Sequence, residues 1–283
     1  MALRPDRRPR YRAVFVSDLH LGTRGSQAEA ALAFLKSVRT DRLFLVGDVV
    51  DGWALRRAWR WTAAHDRVVQ HVLGLAKRGC RVTYLPGNHD GFARDYLGLT
   101  LGGVEVRDTA YHTTATGERL LVLHGDQFDG AVRCAPWLSK LGARLYEVCL
   151  ALNTPVTRLR SRMGLPYWSL AAALKGQAKR AVQYMAEFER AVVHAAAEAG
   201  ADGVVCGHIH KPELRRFEGV RYANCGDWVE SCTALVEHLD GRLELVRWHG
   251  RPAAPAMPVG DGHARSLPTL VLSGTPVGQT ENL

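Results

Sequence analysis

Five short stretches of this 283-residue chain end in side chains able to hold a divalent metal: "SDLH" (Asp18, His20), "GDVVD" (Asp48), "GNHD" (Asn88, His89), "HGD" (His124) and "GHIH" (His208, His210). The donors are carboxylates, imidazoles and one amide, without a thiolate. Such a set suits borderline or hard divalent ions and argues against a structural zinc–cysteine site. Each piece alone is ambiguous, since a lone "DLH" or "GNHD" at a strand end is more often a turn, and a lone His124 after "LLVL" more often a structural histidine. His208 and His210 alternate, so an extended segment would point them to opposite sides, which suits two metals better than one. Five such pieces in one structural position make coincidence a poor account.

What must position them is a series of apolar, β-branched runs: "AVFVSDLH", "LFLVGDVVD", "VTYLPGNHD", "LLVLHGD" and "GVVCGHIH". Each delivers its donors at its C-terminal end, the edge where open α/β sheets assemble their sites. Between the first three lie helical patterns, "SQAEAALAFLKSV" and "WTAAHDRVVQHVLGLAKRG", the second closed by Gly79. Strands alternating with helices predict a mostly parallel sheet covered on both faces. After His210 the strand-like segments "VRYANCG", "CTALVEHLD" and "RLELVRWHG", with a turn at Asp240 and Gly241, predict an antiparallel half. Residues 131–200 are helical apart from "NTP" and "MGLP" and interrupt the strand series, as an insertion or lid would. Residues 251–283 are rich in Pro and Gly and predict an extended or disordered tail.

A chain of this length with 47% hydrophobic residues can bury a sizeable core in one domain, here expected over residues 13–250 behind a basic arm at 1–12. No apolar run reaches the roughly 20 residues of a bilayer span, and the basic start lacks the apolar segment of a secretory signal, so a cytoplasmic protein is expected. The six cysteines form no CxxC pair and several sit in apolar runs, reading as reduced, buried small hydrophobes. The net charge of +9 is local: residues 131–195 hold ten Lys or Arg against three Glu, and residues 1–12 five Arg against one Asp. A confined basic excess points to phosphate groups or an anionic membrane surface as partner.

In this order and spacing, "DLH", "GDVVD", "GNHD", "HGD" and "GHIH" resemble the calcineurin-like metallophosphoesterases from about Ala13 to Trp248. The resemblance implies a four-layer α/β/β/α sandwich with a helical lid insertion and a dinuclear centre. By similarity, Asp48 bridges the metals, Asp18, His20 and His210 complete one, and Asn88, His124 and His208 complete the other. The ions expected are two Mn²⁺, with Fe²⁺, Zn²⁺ or Mg²⁺ as alternatives. His89 would carry no metal but face the phosphoryl group or leaving oxygen, oriented by Asp90.

Within that superfamily the helical insert and the late "NCGDWVESCTAL" are similar to the UDP-2,3-diacylglucosamine pyrophosphohydrolase group of lipid A biosynthesis. In that group the insert is a lid over acyl chains. Here "PYWSLAAAL" beside Lys175, Lys179 and Arg180 offers an apolar surface next to cations, as an acylated sugar phosphate would need; an ordinary helical hairpin with a solvated basic face would look much the same. The implied reaction yields UMP and an acylated sugar 1-phosphate at the inner face of the cytoplasmic membrane. One departure matters: that group carries Arg where this chain has His89, which leaves the exact lipid open. The alternative reading is a phosphodiesterase or phosphatase of nucleotides or another phospholipid. A nucleic-acid substrate is disfavoured, because the insert lacks the interleaved aromatic–basic patterns of a strand-binding groove. A non-catalytic scaffold on this fold would be expected to lose ligands, whereas all seven and His89 are present.

Overall fold

The first strand, β1 (Arg10–Val16), alternates in a way that explains the layering: Val14 and Val16 face one apolar cluster while Ala13 and Phe15 face another. The same alternation recurs in β2 (Arg39–Val46), where Leu43 and Leu45 oppose Phe44 and Val46. Both faces of these strands are therefore buried, as parallel strands require. The computed structural model describes residue 6, residues 8–129 and residues 170–250, with side chains from 182 onward in the helix that opens at Leu170. Residues 130–169 and 251–283, with most of the expected lid, the expected tail, Cys134 and Cys149, lie outside the described residues.

Between the first two strands runs α1 (Ala28–Ser37); after β2 come the short α2 (Gly52–Arg57), α3 (Ala63–Lys77) and β3 (Arg81–Leu85). Thr62 caps α3 by accepting the His65 N–H, and Gly79, at φ +91°, provides the left-handed exit the sequence predicts. Short strands β4 (Thr100–Leu101), β5 (Val104–Val106), β6 (Ala110–Thr113) and β7 (Arg119–Val122) lead to the long helix α4 (Leu170–Glu198). The remaining strands are β8 (Gly203–Cys206), β9 (Glu213–Phe217), β10 (Val220–Asn224), β11 (Thr233–Glu237) and β12 (Leu243–Arg247).

They form a seven-stranded sheet, β12-β11-β1-β2-β3-β5-β4, and a five-stranded sheet, β6-β7-β8-β10-β9. Helices α1 and α3 cover the outer face of the first, and α4 covers the outer face of the second through Tyr184, Phe188, Val192 and Val193. Between the sheets lies a third cluster that includes Phe15 stacked on Phe44, centroids 4.7 Å apart. This is the four-layer α/β/β/α sandwich.

Two expectations need correction. β1 begins at Arg10, inside the expected arm. The chain after His210 is antiparallel, as expected, where β9 meets β10, β11 meets β12 and β11 meets β1, but it is not one half: β10 also runs parallel to β8, and β11 and β12 join the other sheet. The turn-rich spacing of that region reports hairpins but not which sheet each strand enters. Cys206 and Cys225 are buried free thiols, whereas Cys80 and Cys232 are half-buried and free.

Candidate metal centre

β1, β2 and β3 are parallel, as are β7 and β8, so five strand ends meet on one side of the sandwich. The donors sit in the turns just past those ends. Of the seven non-glycine residues with positive φ among the described residues, five are expected ligands: Asp18, His20, Asp48, His208 and His210. Each left-handed residue costs on the order of 1–3 kcal/mol, so surrounding bonds must hold it. They do: the Asp18 N–H donates to Gly47 O at 3.0 Å, the His20 N–H to Asp48 O at 2.9 Å, and the His208 N–H to Asp18 Oδ2 at 3.1 Å. The "GNHD" and "GHIH" glycines have a steric cause, for a Cβ on Gly87 would lie 2.3 Å from Asp48 Oδ1 and one on Gly207 2.5 Å from Asp18 Oδ2.

Two donor groups result. Asp18, His20 and His210 form one, with His210 Nε2 3.0 Å from Asp18 Oδ1 and 3.2 Å from His20 Nε2. Asp48, His124 and His208 form the other. Asp48 Oδ2 stands between them, 3.8 Å from His20 Nε2 and 3.5 Å from His124 Nε2. His208 and His210 thus enter different donor groups; the segment is not extended, and left-handed turns at both residues do the separating.

The donor atoms fit divalent ions by a separate criterion. Asn88 Oδ1 and His124 Nε2 are buried without any hydrogen-bond partner, and Asp18 Oδ1 lies close to His210 without hydrogen-bond alignment. Leaving buried polar atoms unsatisfied costs about 1–3 kcal/mol each, which a cation coordinated by them would recover. His124 Nδ1 is tied to Val46 O at 2.9 Å, which fixes the ring with Nε2 inward. Burial would push the His124 imidazolium down, but the Asp48 and Asp18 charges outweigh it and push it up to about 10. A metal held at Nε2 would require that proton to leave. Burial likewise opposes ionised Asp18, yet His210, His124 and His20 hold its carboxyl far below the usual range.

His89 also reaches the site, but its partner is not Asp90. His89 Nδ1 is 2.9 Å from Asp51 Oδ2, the oxygen that also lies 3.2 Å from His20 Nδ1. The same oxygen gathers His20 and His89 into a further cluster of possible metal-binding geometry. Asp90 is fully buried and faces the backbone instead, accepting the N–H groups of Asp48, Val49, Val50 and Gly87 and the Tyr84 hydroxyl. Burial and the Asp48 charge push its carboxyl above the usual carboxylate range. Asp90 therefore braces the Asp48 turn.

Sequence reasoning missed four contributors. Asp51, the last letter of the quoted "GDVVD", also caps α2 by accepting the Ala54 N–H at 2.7 Å. Trp53 packs against the His89 ring, centroids 4.2 Å apart. Asp129 Oδ1 lies 2.7 Å from His208 Nε2 and accepts the Tyr184 hydroxyl at 2.6 Å, bringing α4 to the site. Only Asp51 carried a signal, as a carboxylate three residues after an expected ligand. Lys175, Lys179 and Arg180 lie on α4, but their side chains fall outside the described residues. The "NCGDW" segment supports the site from below: Ser17 Oγ donates to Gly226 O at 2.9 Å and the Trp228 N–H to Asp18 O at 3.0 Å.

The family model described as calcineurin-like phosphoesterase matches residues 11–212. A UDP-2,3-diacylglucosamine hydrolase of Tolumonas auensis is 25% identical over 228 residues, covering 76% of this chain and 88% of its own. Its namesake in Xanthomonas campestris is 26% identical over 245 residues, covering 81% and 96%, and that of Nitrosococcus oceani 28% over 236 residues, covering 78% and 89%. Matches this long span the region between "HGD" and "GHIH", so the likeness extends beyond the metal motifs.

Proposed function

The chain belongs to the calcineurin-like phosphoesterase family, and from that premise we propose that it hydrolyses the pyrophosphate bond of UDP-2,3-diacylglucosamine or a closely related lipid-linked intermediate. The products would be UMP and the acylated sugar 1-phosphate. The observation that carries the substrate class is the likeness, over about four-fifths of the chain, to hydrolases bearing that substrate's name.

The ligands proposed are Asp18, His20 and His210 for one ion, Asn88, His124 and His208 for the other, and Asp48 for both. Bound there, two divalent ions, Mn²⁺ in our reading, would supply Lewis-acid polarisation of a phosphoryl oxygen and a water of lowered pKa. The chain's own part is orientation and proton handling. With Nδ1 held by Asp51, His89 keeps Nε2 facing the site, 4.0 Å from Asp48 Oδ2, where its imidazolium form, with a proton on each nitrogen, would donate to a phosphoryl or leaving oxygen. Trp53 holds the plane of that ring. Asp90 acts one step back, fixing the turn that presents Asp48.

The helix α4 would form the wall on the lipid side. Its Tyr184 bonds Asp129 and its Phe188 ring lies 5.8 Å from His208, while Arg180 falls one helical turn before Tyr184 on the chain. Lys175, Lys179 and Arg180 are proposed to meet the diphosphate. Peripheral attachment to an anionic membrane is supported by residues 52–65, which hold three arginines and no acid, with Trp53 47% and Trp59 77% exposed. No helix among the described residues is long and apolar enough to cross a membrane.

The test is incubation of metal-stripped protein, reloaded with Mn²⁺, Mg²⁺ or Zn²⁺, with UDP-2,3-diacylglucosamine. UMP and the sugar 1-phosphate are expected, fastest with Mn²⁺, and abolished in Asp48→Ala. If wild type releases neither product yet cleaves a simple phosphodiester, the substrate assignment fails and the reaction class stands.

A further inference from the structure

At the edge of the sandwich opposite the metal centre, the core between the sheets ends in two arginines. Alternation along β2 puts Arg42 on the side of Phe44 and Val46, and alternation along β3 puts Arg81 on the side of Leu85; those three apolar residues belong to the inter-sheet cluster. The parallel register sets Arg42 directly opposite Arg81. Like charges facing one another across neighbouring strands are unfavourable unless something compensates them.

The protein supplies no direct partner and compensates only at a distance, through Glu237. Among the described residues, no carboxylate lies at ion-pair distance from either guanidinium. Arg42 Nη1 meets only His112 Nδ1, at 3.4 Å. The buried acid nearby, Glu237, is taken by His112 Nε2 at 2.6 Å, by Arg12 at 3.3 Å and by the Ala115 N–H at 2.7 Å. Glu105 is paired with Arg107. Burial first, then the charges of Arg81 and Arg12, push the Arg42 guanidinium below its ordinary value against the smaller pull of Glu237.

These arginines open onto a cleft of about 670 Å³ between the sheets, walled by Arg42, Arg81, Arg107 and Tyr111 with Thr83 and Thr100 beside them. Three arginines against Glu105 leave the lining at a net +2. We infer that this cleft is a binding site for a small phosphate-bearing molecule, gripped by the paired guanidiniums of Arg42 and Arg81. Guanidinium forks match phosphate oxygens in bidentate geometry, and threonine hydroxyls add neutral donors. The site is separate from the metals: the six residues of chain from Arg42 to Asp48 span roughly 20 Å. It does not depend on which ester the metal centre cleaves.

Amide chemical-shift mapping of the metal-loaded protein during titration with inorganic phosphate tests this, because shifts at the cleft and at the metal ligands are read separately. Saturable shifts are expected at residues 42, 81, 83 and 100. In Arg42→Gln/Arg81→Gln, binding read at Thr83 and Thr100 is expected to weaken by about tenfold or more, with hydrolysis of a simple phosphodiester unchanged. Arg81→Gln alone, at an exposed position, is expected to weaken it several-fold. Shifts confined to the metal site, or cleft affinity unaltered in Arg81→Gln and in the double variant, would overturn the inference; amides of wild type that fail to move do so regardless of how the variants fold.

Discussion

A single oxygen, Asp51 Oδ2, anchors the Nδ1 atoms of both His20 and His89 and so turns both Nε2 atoms toward Asp48 Oδ2, at 3.8 and 4.0 Å. Removing an orienting carboxylate of this kind costs roughly 10–100-fold in affinity or activity. Asp51→Ala is therefore expected to lower kcat in that range with KM little changed, and to weaken metal retention at the His20 group; steady-state kinetics with metal analysis on the same sample checks both. If kcat holds within twofold, Asp51 matters only as the cap of α2. The sequence shows the ligand types plainly, because five strand ends repeat them. It misleads about His89, since the neighbouring Asp90 looks like its natural partner. At that turn the Asp90 carboxylate is directed to the N–H groups of residues 48–50, and the acid that meets His89 arrives from another strand end.

The strand-to-turn junction is where an element becomes a site. Residues that leave β1, β2 and β8 in the left-handed region double back sharply, which lets carboxylates and imidazoles from different strands crowd within a few ångströms. The crowding leaves no room at the glycines between them. Gly207→Ala would place a methyl 2.5 Å from Asp18 Oδ2 and 2.7 Å from Ser17 Cβ. Overpacking of that order costs about 1–3 kcal/mol, so the variant is expected to fold with a lowered melting temperature and to hold less metal at the Asp18 group. Calorimetry with metal stoichiometry decides it, and full metal occupancy in a normally stable variant would show that the turn can relax. The strands ending in these turns are legible as apolar runs, and α1 and α3 as 3.6-residue patterns. By contrast α2 spans six residues and β4 and β5 only two and three, too few for any periodicity to register.

Across the whole molecule, two sheets must keep their facing surfaces in register if donors from both are to share one centre. The apolar layer is only part of what holds them. Glu237 of β11, fully buried, reaches across to His112 of β6 and to the Ala115 N–H in the turn between β6 and β7 while pairing with Arg12 of β1. Nothing in the linear pattern foretold this link, because β11 was legible only as a strand and its assignment to the first sheet depends on long-range pairing with β1. Deleting one partner of a buried charged network strands the others, at a cost of about 3–5 kcal/mol. Glu237→Ala is accordingly expected to lose that much stability in chemical denaturation, with Glu237→Gln intermediate because it keeps an acceptor. Glu237 pairs with Ala13, five residues before Asp18, or roughly 15 Å along the strand. Below its unfolding transition the Glu237→Gln variant should therefore turn over substrate at the wild-type rate. A loss of kcat without loss of stability would instead mean that the metal centre depends on this contact directly, through a shift of one sheet against the other that leaves both intact.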